Sequence, residues 1–290
     1  MTETNATSKP VCILVATCIG RAYAYFLHQS DDFFHAYDLH DFNVHPPGGS
    51  VSDFALPGEL VERCALFLHL TPGWADWGNE PAYRDLLARI PSAVPRISLP
   101  YPVFLPLWPF HCADPRNERV NGRLSRHTLT PIHYPYGDAS VLSWLRQGRP
   151  KDEVIRRCLA FDWAAETDLD GLLIKMINIQ RATEAGTDVK IMDYVEEFFR
   201  SRRLFLTMNH FGNDLAIYVV DQILEMLGLH RLPAYVYTSV DQLLTPEVPI
   251  HPGIIDHFGL TFVRKDHRYR IDPFRTLTFE EYLSHYVEFE

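Results

Sequence analysis

The chain has 290 residues, a formal net charge of -10 and a pI near 5.8, which argues against a nucleic-acid groove as its main business. Hydrophobic residues at 47% and charged residues at 22% are ordinary for a globular protein, and no apolar run approaches the ~20 residues of a membrane span. The polar opening Met1 to Pro10 has no signal-peptide core, so a cytoplasmic location is expected.

Residues 1–10 read as a flexible tail, and 11–290 as a single catalytic α/β domain. Val11 to Ala16 is short and rich in Val and Ile, the mark of a strand buried on both faces. The turn Thr17-Cys18-Ile19-Gly20 leads directly into a helix expected over Arg21 to His28. Cys18 therefore falls where a strand ends and a helix begins, a place whose N–H groups and helix dipole favour a thiolate. A small buried thiol is the competing reading. The five cysteines (Cys12, Cys18, Cys64, Cys112 and Cys158) are odd in number and scattered, which does not describe a disulfide framework.

Asp31 to His45 reads as a solvated loop, since His35, His40 and His45 recur every five residues rather than at the i, i+4 spacing of metal ligands on a helix. A helix end at Leu60 to Arg63 precedes a second buried strand, Ala65 to Leu70. The loop that follows carries Asn79, a candidate oxyanion donor. Pro81 to Ala88 should be a helix and Arg96 to Leu99 a strand; the prolines between Pro100 and Pro115 exclude regular structure. Helices are expected at Ser140 to Arg146, at Pro150 to Phe161 and around the amphipathic set Leu169, Leu172, Leu173, Met176 and Ile177. Another is expected after Asp188 as its cap, ending at the basic run Arg200 to Arg203. Residues 140–230 are thus a candidate helical insert or subdomain.

Leu204 to Thr207 reads as a strand that delivers Asn209 and His210 to a second strand-to-helix turn. Asp214 is then the helix cap and Gly228 the helix stop. Two such turns at one edge of one sheet would bring Cys18 and His210 together as nucleophile and base, with N–H groups near Ile19 and Gly20 holding an oxyanion. A structural histidine is the plainer reading of His210. Ala234 to Thr238 is a candidate strand, and Thr278 with Glu281 is a capping box for a final helix. No nucleotide, nicotinamide or zinc motif is present, and no metal is expected.

Five stretches occur in the order seen in a known family: Ala16-Thr17-Cys18-Ile19-Gly20-Arg21, Tyr134-Pro135-Tyr136-Gly137-Asp138, Leu204-Phe205-Leu206-Thr207-Met208-Asn209-His210, Pro249-Ile250-His251-Pro252 and Leu277-Thr278-Phe279-Glu280-Glu281-Tyr282. Together they resemble the WcbI family of polysaccharide-biosynthesis acetyltransferases over nearly the whole chain. The chain departs at Ala16, Thr17 and Ile19, where that family more often has Gly, Asn and Gln, and at Phe211, where it tends to have Pro. The resemblance implies an α/β fold with a central, mostly parallel sheet, and acetyl transfer from acetyl-coenzyme A to a sugar hydroxyl in capsular or exopolysaccharide synthesis. It also implies that Cys18 lies near the pantetheine thiol. Catalytic candidates are then Cys18, His210 and Asn209; cofactor candidates are Gly20, Arg21 and Asn79. Arg123, Arg126, Lys151 and Arg200 to Arg203 are further candidates for the coenzyme A phosphates. The acceptor would be a carbohydrate, as sugar nucleotide, lipid-linked sugar or polymer. Transfer through acetyl-Cys18, direct transfer, an SGNH-like carbohydrate esterase and a non-catalytic coenzyme A or glycan binder all remain open at this point.

Overall fold

The computed structural model describes residues 9–44, 55–71, 81–116, 134, 136–239, 247–272 and 274–289. Packing gathers the chain into two units. Met1–Pro102, Ile179–Val195 and Phe211–Leu243 make the first; Val103–Asn178, Glu196–His210 and Leu244–Glu290 make the second.

The first unit is built on a parallel sheet of β1 (Val11–Ala16), β2 (Asp38–Asn43), β3 (Cys64–Thr71) and β4 (Arg96–Pro100), in the order β2-β1-β3-β4. β1 lies between two neighbours and is covered on both faces, which is why all six of its residues are apolar and buried. Its odd positions, Val11, Ile13 and Val15, pack with Leu60, Phe67, Tyr83, Leu86 and Ile90. These bring in α3 (Gly58–Glu62) and α4 (Pro81–Arg89). The opposite face meets α1 (Gly20–Leu27) at close range: a Cβ on Gly20 would stand 2.7 Å from the Ala16 Cβ. Between β1 and β2 runs α2 (Asp31–Ala36), whose N-cap Ser30 accepts from the Phe33 N–H.

The second unit holds two short antiparallel ladders, β5 (His111–Ala113) with β6 (Tyr136–Asp138), and β7 (Tyr269–Asp272) with β8 (Arg275–Leu277). Around them lie α5 (Ala139–Arg146), α6 (Lys151–Leu159), α7 (Trp163–Glu166), α12 (Pro252–Phe258) and α13 (Phe279–Glu288). Asp138 caps α5, its Oδ1 accepting from the Ser140 and Val141 N–H groups. The Thr278–Glu281 capping box opens α13 as expected. A buried ion pair, Arg116 to Asp114 at 2.7 Å, ties in the end of α13, because Arg116 Nη1 also donates to the carbonyls of Tyr286 and Phe289.

Between these stretches run α8 (Leu169–Glu184), α9 (Met192–Phe198), α10 (Asn213–Met226) and α11 (Val236–Ser239). Several expectations are corrected here. Asp31 to His45 is not a loop as far as Val44: it forms α2 and the edge strand β2, whose polar residues are tolerated because they are only partly covered. Leu204 to Thr207 is not a strand; its backbone turns back on itself, Leu206 N–H donating to the His210 carbonyl at 2.8 Å. Ala234 to Thr238 is not a strand either, its second half lying in α11. Asp188 does not cap α9: its carboxylate is taken by the Ser98 N–H and hydroxyl, and Glu184 accepts from Ile191 and Met192 N–H instead. The N-cap of α10 is Gly212, with Asp214 in the first turn, where its charge suits the dipole.

Gly20→Ala is expected to destabilise the protein by about 1–3 kcal/mol, the usual cost of overpacking against a fixed Cβ. Arg116→Ala should cost more, about 3–5 kcal/mol, since it strands the fully buried Asp114 carboxylate. Urea denaturation midpoints with unchanged slopes would establish both.

Candidate functional site

In an open parallel sheet ordered 2-1-3-4, the connections out of β1 and out of β3 run to opposite sides, and the crevice beyond the carboxyl ends of these two strands is the usual ligand position. Cys18 lies two residues past the carboxyl end of β1, and it is exposed. Enclosure by neighbouring protein raises the thiol pKa above its ordinary value. The Thr17 hydroxyl, the Cys18 and Ile19 N–H groups and the Arg21 charge pull it down, but they do not prevail. The turn therefore does not yield the resting thiolate that the helix dipole alone suggests. Gly20 is required for the approach of α1 to β1, a packing reason independent of any ligand. Arg21 is exposed beside the thiol, and Asn79 lies outside the described residues. Further along the same sheet, His69 on β3 stacks on Phe67 at 5.2 Å, and burial lowers its pKa.

His210 belongs to the second unit, in a loop closed on itself. The His210 carbonyl accepts from Leu206 and Thr207 N–H groups. The fully buried Thr207 hydroxyl accepts from the His210 N–H at 3.1 Å and donates to Asn209 Oδ1 at 3.2 Å. Nδ1 of the imidazole lies 3.0 Å from Asn209 Oδ1, 3.1 Å from Thr207 Oγ1 and 2.8 Å from the Tyr136 hydroxyl. An amide oxygen only accepts, so the Asn209 contact is a hydrogen bond when the proton sits on Nδ1, the tautomer that leaves the ring's basic lone pair on Nε2. Burial pushes the His210 pKa down to about 4, so the ring is neutral at pH 7. Asn209 thus acts on the imidazole it precedes. Because the 204–207 stretch is not part of the four-stranded sheet, a shared sheet edge does not unite Cys18 with His210.

Tyr136 also forms part of an aromatic cavity inside the second unit, walled by Trp108, Phe110, Trp163, Phe279 and Tyr282 among others and reached by Met208 of the His210 loop. His111 and Asp138, cross-strand partners in the β5–β6 ladder, face it too. Burial raises the Asp138 carboxyl to about 6 and lowers the His111 pKa. In sequence, the clustering of aromatics between Trp74 and Tyr136 reads as an irregular, ligand-shaping region; the cavity draws on its end, but Trp163, Phe279 and Tyr282 come from farther along the chain and carry no such sign. Of the candidate phosphate partners, Arg203 is paired with Glu247 at 3.0 Å and Lys151 with Glu288 at 2.8 Å. Arg200 and Arg202 lie over the rings of Phe199 and Phe198, whereas Arg123 and Arg126 fall outside the described residues. Among the described residues no cluster of three or more His, Cys, Asp or Glu is arranged to hold a metal, and no helix is long and apolar enough to cross a membrane.

The family model for the polysaccharide biosynthesis enzyme WcbI matches residues 11–232. A solved structure of WcbI, described as a novel polysaccharide biosynthesis enzyme in its native form without a disulfide bond between coenzyme A and one of its cysteines, has a similar fold. Its TM-score is 0.68 at 18% identity, over 97% of this chain and 89% of that one. No curated protein matches. With an α/β sheet that presents a cysteine after its central strand, and a family match over most of its length, the chain belongs to the WcbI family of polysaccharide biosynthesis enzymes.

Proposed function

We propose that the chain is an O-acetyltransferase that moves an acetyl group from acetyl-coenzyme A to a sugar hydroxyl. The observation that carries this reading is the exposed Cys18 at the carboxyl end of β1. It is joined by family membership and by the mention of coenzyme A and a cysteine in the structural relative. In the covalent route, Cys18 Sγ attacks the thioester carbonyl, the carbon–sulfur bond to coenzyme A breaks, and coenzyme A leaves as the thiol with the proton that Cys18 gives up. The sugar hydroxyl then attacks acetyl-Cys18 while His210 Nε2 takes its proton, which returns to the Cys18 sulfur. The tautomer set by Asn209 suits His210 to that task.

A second route is favoured by the raised Cys18 pKa: direct transfer, with His210 as base and the Cys18 thiol as a contact for the pantetheine end. Intact-protein mass after exposure to acetyl-coenzyme A without acceptor separates the two. The covalent route gives one acetyl group on wild type and none on Cys18→Ser. Full activity in Cys18→Ser with no adduct on wild type assigns direct transfer. Inactivity of the wild type toward acetyl-coenzyme A across a panel of sugar acceptors would discard both.

The base role of His210 has its own signature. A base is lost on protonation, so activity should persist well below the ordinary histidine range and fail along an acid limb near pH 4, where the ring gains its proton. An acid limb near 6.5 would mean that His210 is not the group that titrates. His210→Ala should lower kcat by roughly 10²–10⁴-fold, the usual contribution of a positioned base.

A further inference from the structure

The stretch Tyr136-Gly137-Asp138 is fixed by β5, α5 and α13 together. Gly137 lies opposite Cys112 in the β5–β6 ladder, where a Cβ would stand 3.0 Å from the Asp114 Cβ and 3.1 Å from the Tyr286 hydroxyl. The Asp138 N–H donates to that same Tyr286 hydroxyl at 3.0 Å, while the Asp138 carboxylate caps α5. Tyr136 is therefore anchored through the two residues that follow it. Its ring stands 5.6 Å from the His111 ring and 6.0 Å from that of His210, inclined at 74° to the latter. The hydroxyl is delivered to Nδ1 of His210 at 2.8 Å, closer than either the Asn209 or the Thr207 oxygen.

A proton count separates the three oxygens around Nδ1. Thr207 Oγ1 gives its proton to Asn209 Oδ1 and accepts from the N–H groups of Asn209 and His210, so both of its lone pairs are engaged. Asn209 Oδ1 keeps one lone pair beyond the one that the Thr207 proton takes. Tyr136 brings a proton and lone pairs alike. Were it to donate to a bare Nδ1, that nitrogen and Asn209 Oδ1 would face each other as two acceptors at 3.0 Å. With the proton on Nδ1 the conflict disappears, and both oxygens accept from it. A hydrogen bond from a charged donor is roughly twice as strong as a neutral one, so this contact strengthens as the ring becomes a cation. An interaction that grows with developing charge raises kcat rather than lowering KM. We propose that Tyr136 is a positioning residue for His210, its hydroxyl oxygen accepting from Nδ1–H and holding the imidazolium that forms when Nε2 takes the proton of the sugar hydroxyl. The Nδ1 proton stays in place throughout, and the proton gained at Nε2 passes on to the departing sulfur. The inference rests on the base role given to His210 above and deepens it.

Tyr136→Phe removes the oxygen and keeps the ring beside His111. Its kcat for acetyl transfer should fall roughly 10- to 100-fold, the loss of one hydrogen bond to a charged group, with KM for acetyl-coenzyme A unchanged. Nitrogen-15 NMR on the histidine-labelled full chain adds a signature that packing alone would not move. The His210 signals, identified by their loss in His210→Gln, should show a proton on Nδ1 and none on Nε2 at pH 7, and the Nδ1–H resonance should move upfield in Tyr136→Phe. If Tyr136→Phe fails to melt cooperatively, the wild-type spectrum decides: a proton on Nδ1 sustains the proposal, and one on Nε2 means that Tyr136 donates and overturns it. An unchanged kcat in folded Tyr136→Phe, or a loss confined to KM, overturns it as well. A Tyr136-dependent Nδ1–H resonance in a wild type that transfers no acetyl group would remove the transferase reading and leave the hold of Tyr136 on His210 standing.

Discussion

The first unit depends on a missing carbon atom. At Gly20 the helix that follows β1 comes so near Ala16 that even one methyl group would collide with it. That approach lets α1 begin with only three residues between it and the strand, and it fixes the short turn in which Cys18 is exposed while its neighbours Thr17 and Ile19 are buried. A glycine that sequence reasoning assigns to ligand binding is thus first a packing necessity. The two roles coincide because the place where a helix can be pulled tightly onto a strand is also where its N–H groups open toward a ligand.

In the second unit the organising device is a hydroxyl rather than an absence. Thr207, wholly enclosed, receives the His210 N–H and passes its own proton to Asn209, so the backbone of the loop and the orientation of the imidazole are settled by one side chain. The imidazole is kept neutral by its surroundings, not by a charged partner, since burial lowers its pKa. An imidazole held in this way stays neutral at pH 7 with no carboxylate behind it. Asn209 supplies direction without charge, and Tyr136 joins the arrangement to the aromatic wall.

Much of the first unit was legible in sequence, because a central parallel strand must be apolar at every position and β1 is. β3, β4 and the α13 capping box were visible for similarly local reasons. The edge strand β2 was not: Asp38, His40 and Asp41 are affordable only where one side of a strand lacks a neighbour, and that is a property of the sheet. Leu204 to Thr207 misled in the opposite sense, since its apolar run serves burial in an irregular loop. Cys18, Asn209 and His210 could be named from their neighbours in sequence. The Tyr136 contact to the imidazole joins residues 74 positions apart in the chain, and no local pattern could have announced it.

The chain passes from one unit to the other between Pro102 and Val103, and again after Asn178, Val195, His210 and Leu243. At one of these crossings the imidazole of His210 is held by Thr207 and Tyr136, all three in the second unit, and the next residue, Phe211, already belongs to the first, where it stacks at 5.0 Å on Tyr23. No single cut of the gene isolates either unit, so a protein of this build cannot gain or lose its cysteine-bearing half by modular shuffling. Its diversification must proceed within the loops and walls of an architecture inherited whole.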